Sequence, residues 1–171
     1  MKRVLRQDRM ILESLEEKYG TDAIASAIMA IANRNNGVDV EEKIVSPQEA
    51  VLDFIKYVEG VRIRLREIHW EAERHSKHIL TDTIIGDLED FEDAIAEELM
   101  GVCGFRIKVG AIVPTMTNQV ELGALLCELH ENIVQLCACL ESAGDEFGGI
   151  VNELEDMMAK VSKWKYLETF K

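Results

Sequence analysis

The chain has 171 residues, 47% of them hydrophobic and 30% charged, and its 32 acidic residues against 19 basic ones give a net charge of −13. That size suits one domain, or one domain plus an appendage, and the balance is that of a globular protein rather than a disordered tail. Two prolines and eleven glycines allow long helices and argue against a turn-dense all-β chain, while the negative charge repels nucleic acid and attracts cations.

The first 45 residues differ from the rest. Ile11, Leu12 and Leu15 form a short apolar face that stops at Gly20, and Thr21 and Asp22 can cap a second short helix, Ala23 to Asn33. The polar run Asn33 to Gly37 ends that helix, and the stretch to Val45 reads as a linker. Residues 1–45 are therefore read as a helical appendage and 46–171 as the main domain. No apolar run approaches the roughly 18 residues that span a membrane, and MKRVLRQDR has no apolar segment of a secretory signal behind it. Cys103, Cys127, Cys137 and Cys139 stand at no zinc-like spacing and read as reduced thiols of a cytoplasmic protein.

Four helices are expected in the main domain. Ser46-Pro47-Gln48-Glu49 is a capping box with proline at the first helical position. It opens a helix to about Glu73, with Val51, Leu52, Ile55, Val58, Ile63 and Leu65 as its apolar positions. Ser76 is expected to cap the second helix, which runs to about Gly101. Cys103 to Thr117 is then too long for a tight turn and contains a β-prone stretch, Phe105 to Val113. Its roughly 15 residues reach about 50 Å when extended, enough to travel the length of a bundle. Asn118 with Glu121 reads as the box opening the third helix, Ala143-Gly144 as its end, and Asp145 as the cap of a fourth helix to about Phe170. Two hairpins joined by one long crossover is the ferritin-like form of the four-helix bundle; a plain up-and-down bundle is the alternative.

The second helix carries the chemistry. With Asp93 at the origin and 100° per residue, Glu97 falls near +40°, Asp82 near about −20° and His78 near about −60°, flanked by Glu89 and Asp90. Ile84, Leu88, Phe91, Ile95, Leu99 and Val102 cluster on the opposite side. Acidic residues on an outer helix face are ordinary, but the histidine shifts the balance. His78 with Asp82, and Asp93 with Glu97, are pairs one turn apart, each able to offer two ligands to one metal. The pairs lie about 22 Å apart along the helix, so a single chain cannot bring them to one ion. An antiparallel second copy would set one pair against the other and create two identical sites about a two-fold axis. The nitrogen and oxygen donors suit iron, and also manganese or zinc. His69, at the end of the first helix, can lie near His78 across the turn, with His75 as the alternative partner. His130 reads as structural.

These residues resemble the Dps-type miniferritins of the ferritin-like superfamily. Asp93-Ala-Ile-Ala-Glu97-Glu-Leu-Met-Gly-Val-Cys-Gly104 is similar to the family's second-helix signature, His69-Trp70 to its His-Trp at the end of the first helix, and His78 and Asp82 to further ligands of the site. Ala143-Gly144-Asp145 and Trp164 also agree with the family, over roughly residues 46–171. The resemblance implies an all-α, ferritin-like four-helix subunit in a homo-oligomer, a dimer at least and a dodecamer in the family. It implies an inter-subunit ferroxidase site in which His69, His78 and Asp82 of one chain and Asp93 and Glu97 of the other bind iron. His78, Asp93 and Glu97 are the expected catalytic residues. The activity implied is oxidation of Fe(II) by hydrogen peroxide, with storage of the ferric product. Trp70 would pack beside the site or donate an electron to it. The interval from His69 to His78 is shorter here than in the family, and the crossover is short for the small helix the family carries there.

The appendage is no lysine-rich tail: Lys2, Arg3, Arg6 and Arg9 are its early basic residues, a weak basis for DNA binding. Val4 to Gly20 looks similar to short N-terminal helices of virion proteins from some gut-bacterial phages, which implies a removable tag and a virion or infected-host setting. The reading from another functional class is accordingly a ferritin-like structural or cargo protein that has lost mineralisation.

Overall fold

The computed structural model describes residues 45–170. The two short N-terminal helices and the first 44 residues of the appendage lie outside the described residues. Four long helices account for most of the described chain, with a short 3-10 turn and no strand among the described residues. They are α1 (Pro47–Glu71), α2 (His75–Cys103), α3 (Leu122–Ala143) and α4 (Gly148–Glu168), with the 3-10 turn Asp145–Phe147 before α4. None of the described helices is long and apolar enough to cross a membrane.

The start of α1 follows from its sequence. Ser46 Oγ accepts from the Glu49 amide, the Glu49 carboxylate accepts from the Ser46 amide, and Pro47 needs no donor. Such a cap stabilises a helix by about 1 kcal/mol. The other starts differ from the sequence expectation. Arg74, not Ser76, stands at the N-terminal cap position of α2, without a side-chain cap, and α2 begins directly at His75 after a three-residue turn, Ala72 to Arg74. Glu121, not Asn118, precedes α3, without a side-chain cap. Asp145 opens the 3-10 turn rather than α4, which follows Phe147. The ends are closer to expectation: Gly104 and Gly144, both at positive φ, close α2 and α3.

Apolar faces of all four helices meet in one core, with Leu65, Ile84, Leu88, Ile95, Leu129, Ile133, Leu140 and Leu154 fully buried. On α2 the expected stripe of Ile84, Leu88, Phe91, Ile95 and Leu99 is buried, whereas Val102 in the last turn is 42% exposed. On α1, Leu52 and Ile63 are only half-buried, and Phe54, Val61 and Ile68 fill core positions that the periodicity had not marked.

Helix α1 packs on α2 and on α3, and α4 packs on α3 and on α2. No contact joins α2 to α3, so the crossover Gly104 to Glu121 links helices that are not neighbours. Its β-prone stretch forms no strand because no second strand is there to pair with. Instead the crossover is strapped to α1. The Thr115 amide donates to the Lys56 carbonyl at 2.8 Å, and Arg64 Nη2 donates to the Thr117 carbonyl at 3.2 Å. Between these anchors Gly60 is buried beneath the strap, and a Cβ there would lie 2.0 Å from the Thr115 carbonyl oxygen. The arrangement is that of four helices around one core, compatible with a helical bundle.

The close approach gives a test. Gly60→Ala should push the Thr115 backbone off α1 and destabilise the protein by about 1–3 kcal/mol, the usual cost of overpacking, despite alanine's higher helix propensity. Urea unfolding of the variant beside the wild type measures this; equal or higher stability would mean that the strap yields freely.

Candidate metal site

The three-residue turn brings the ends of α1 and α2 together and sets His69 against His78. The imidazole rings stack with centroids 3.8 Å apart and planes inclined by 27°. His69 Nδ1 lies 3.1 Å from the His78 carbonyl oxygen, and His78 Nδ1 lies 3.3 Å from the His69 carbonyl oxygen. Each ring thus bonds to the backbone of the other residue. A carbonyl only accepts, so in both rings Nδ1 carries the hydrogen and donates. The neutral ring then bears its lone pair on Nε2, the tautomer in which a histidine ligates a metal. Neither Nε2 has a protein partner among the described residues.

Thr81 supports the pair from below. Its side chain is fully buried, its hydroxyl lies 2.9 Å from both the Lys77 and the His78 carbonyl oxygens, and its oxygen stands 3.2 Å from His69 Nδ1. The expected partnership of His69 with His78 is thus present, and it is held by a threonine that the sequence had given no reason to single out. His75, the alternative partner, is the exposed first residue of α2, and His130 is half-buried on α3.

Asp82, Asp93 and Glu97 stand exposed on the face of α2 opposite its core stripe. None of the three has a hydrogen bond or ion pair among the described residues. Neighbouring carboxylates on the same helix are engaged. Asp87 takes Lys160 of α4 at 2.9 Å, and Glu89 and Glu92 take Arg62 at 3.2 and 3.0 Å. The expected ligands are therefore among the acids of α2 left unpaired by the described residues, a property they share with exposed Asp90 and half-buried Glu98. No group of three or more His, Cys, Asp or Glu side chains able to hold a metal forms within one chain among the described residues. The histidine end and the Asp93/Glu97 end of the stripe remain separate, as their axial distance requires.

Arg62 was not expected. Its side chain is 10% exposed and lies between α1 and α2, bonded to Glu59 at 3.2 Å as well as to Glu89 and Glu92. Burial raises the Glu92 carboxyl above its ordinary value, the bond from Arg62 works against this, and Glu59 and Glu89 add to the rise. Trp70 follows His69 directly in α1. It is 73% exposed, because the step from His69 to Trp70 turns outward at the last turn of α1, and it packs little within the chain.

A second polar network holds the start of α3. Tyr57 donates to Glu128 Oε1 at 3.1 Å, and Gln119 Nε2 donates to Glu128 Oε2 at 2.9 Å. Burial, joined by the Glu128 charge, pushes the Tyr57 hydroxyl far above its ordinary value. For Glu128, burial raises the carboxyl, but bonds from Thr117, Gln119 and Tyr57 outweigh it and hold the group below its ordinary 4.5. The thiols of all four cysteines are unbonded, and burial pushes Cys137 up.

Comparison with family models, with curated proteins and with solved structures finds no match for this chain.

The Glu128 network predicts a pH effect. Its carboxyl is depressed in the folded state, so its contribution to stability is present above about pH 4.5 and is lost as pH falls through the lower folded value. Glu128→Gln should lower stability at neutral pH and flatten the acid limb below that pH. Chemical denaturation of both proteins from pH 7 to pH 3 checks it, and parallel acid limbs would refute it.

Proposed function

We propose that this chain is a subunit of a miniferritin-like, Dps-type ferroxidase and iron-storage protein, built on a ferritin-like four-helix bundle. The observation that carries the reading is the stacked His69/His78 pair, with both Nδ1 atoms committed to backbone carbonyls and both Nε2 atoms left without protein partners. The unpaired Asp82, Asp93 and Glu97 on the outer face of α2 support it, as does the helix adjacency. In a plain up-and-down bundle the second and third helices touch; here they do not, which is the pattern expected of a crossover connection.

In this reading Fe(II) is the substrate. His69 and His78 hold it through Nε2, with Asp82 beside them, and Asp93 and Glu97 come from a second chain. The neutral imidazoles bind Fe(II), and the carboxylates favour the ferric product by charge. Two Fe(II) ions give one electron each to one hydrogen peroxide. The O–O bond breaks, two protons are taken up, and two waters and two Fe(III) result. Buried Thr81 keeps His69 oriented throughout. Manganese or zinc would suit the same donors. The assembly is a homo-oligomer, a dimer at least and a dodecamer on the family's pattern, in a bacterial cytoplasm or, if the chain is phage-encoded, a virion or infected host cell.

Anaerobic Fe(II) loading followed by peroxide tests the reading. Wild-type protein should form soluble ferric product rapidly, and Glu97→Ala should lose about 10²-fold or more of that rate, as losses of a metal ligand or its support commonly do. Equal slow rates would favour the scaffold or cargo reading. His78→Ala and Asp93→Ala chains should each be inactive and should recover activity when mixed, because one intact site forms per mixed pair. Failure to recover despite verified mixing would reject the shared site.

A further inference from the structure

We propose that the groove between α2 and α4, beside the turn that joins α1 to α2, binds a long-chain fatty acid, with its carboxylate at Lys77 and its alkyl chain against Leu80, Trp164 and Leu167. The proposal does not depend on the metal site, because none of His69, His78, Asp82, Asp93 and Glu97 lines this groove.

The groove follows from the helical register. On α2, Ile79, Leu80, Thr83 and Asp87 form one wall, and on α4 Lys160, Lys163, Trp164 and Leu167 form the other. These are spacings that share a helix face. The α2 wall is eight residues long, about 12 Å of helical rise. The ion pair of Lys160 with Asp87, at 2.9 Å, joins the two walls at one end. The turn from Ala72 to Arg74, with Val120 and Leu122 at the start of α3, borders the groove as well. Its volume is about 1040 Å³, and pockets for drug-sized ligands usually measure about 300–1,000 Å³.

The lining is apolar where a ligand would lie. Leu122 and Trp164 are buried at the floor, and Ile79, Val120, Leu167 and Phe170 are large apolar side chains left exposed around it. Phe170 is held at the rim by Tyr166, whose ring meets it edge to face at a centroid distance of 4.8 Å. Single apolar residues on a surface need no explanation, but several gathered around a concavity mark a binding site.

The charges select the head group. Asp87 is taken by Lys160, and the Glu168 carboxylate lies over the first turn of α3, 3.5 Å from where a Cβ on Gly123 would stand. Among the other charged residues of the lining, Glu71, Glu73, Arg74, Glu121 and Lys163 are exposed. Lys77 alone is half-buried, and it has no acid partner among the described residues. Its stem can lie along the apolar wall while its ammonium receives an anion. A carboxylate meets that ammonium in a charge-assisted hydrogen bond, and an alkyl chain matches the walls. A cationic amphiphile would set its head against Lys77.

Calorimetric titration of the full chain with octanoate, decanoate and laurate, each below its micelle concentration, tests this. Wild-type protein should bind laurate one to one, and affinity should rise about fourfold per methylene, the usual gain from burying a CH2 group. Lys77→Met keeps the stem and removes the charge. It should weaken decanoate by about tenfold or more and leave uncharged decanol within about twofold of wild type. Ile79→Glu, at an exposed helical position, should weaken both ligands while its circular dichroism stays that of the wild type. Equal decanoate binding by wild type and Lys77→Met would overturn the carboxylate assignment. No saturable laurate binding by wild type would overturn the site. Phosphatidylglycerol vesicles separate the sources of an alkyl chain: wild-type protein that sediments with them yet binds no free laurate would overturn the proposal in favour of a lipid surface.

Discussion

The close contact of the crossover on α1 organises the described part of this protein. Helices α2 and α3 do not touch, so the chain between them must be held somewhere else along its path. It is held where Thr115 lies against Gly60, with the Lys56 carbonyl on one side and Arg64 on the other. That contact fixes where α3 can begin, and the Tyr57–Glu128–Gln119 network fastens the first turns of α3 to the same helix. With α3 on one flank of α1 and α2 on the other, the outer face of α2 is left uncovered by the other described helices. The candidate ligands stand on that face.

Much of this was legible from residue spacing, and the failures have a common cause. The core stripe of α2 and the Ser46–Glu49 box are local patterns, set within a few residues, and both are present. The expected caps at Ser76, Asn118 and Asp145 are also local patterns, but tertiary contacts overrode them. Asn118 lies in a segment that Arg64 and buried Thr117 keep out of helix until Glu121. The three-residue turn starts α2 before Ser76 can act as its cap. Gly60 and Arg62 escaped notice because their partners are distant in sequence: the crossover for one, Glu89 and Glu92 for the other. No periodicity can announce such contacts.

The same division holds at the candidate site. Sequence spacing places His69 and His78 within reach of one another, and the geometry adds the reciprocal carbonyl bonds and the support from Thr81. Spacing likewise groups Asp82, Asp93 and Glu97 with Glu89 and Asp90. Which of these acids are left unpaired depends on Arg62 and Lys160, on neighbouring helices. Arg62 also has a second effect. By standing among Glu59, Glu89 and Glu92 it places a fixed cation between α1 and α2, so these three acids are partly compensated without a metal. The outer acids of the helix are left to any cation arriving from solvent.

The placement of the two tryptophans has an optical consequence. Trp164 is 3% exposed within the core, while Trp70 is 73% exposed and adjoins His69. These are the chain's only indoles, and their surroundings differ as oil differs from water. Their emission therefore separates into a short-wavelength component that reports the integrity of the helical core and a long-wavelength component that reports the end of α1. A paramagnetic ion held by the histidine pair would quench the second most strongly, because Trp70 adjoins His69, so the protein carries its own unlabelled indicator of occupancy.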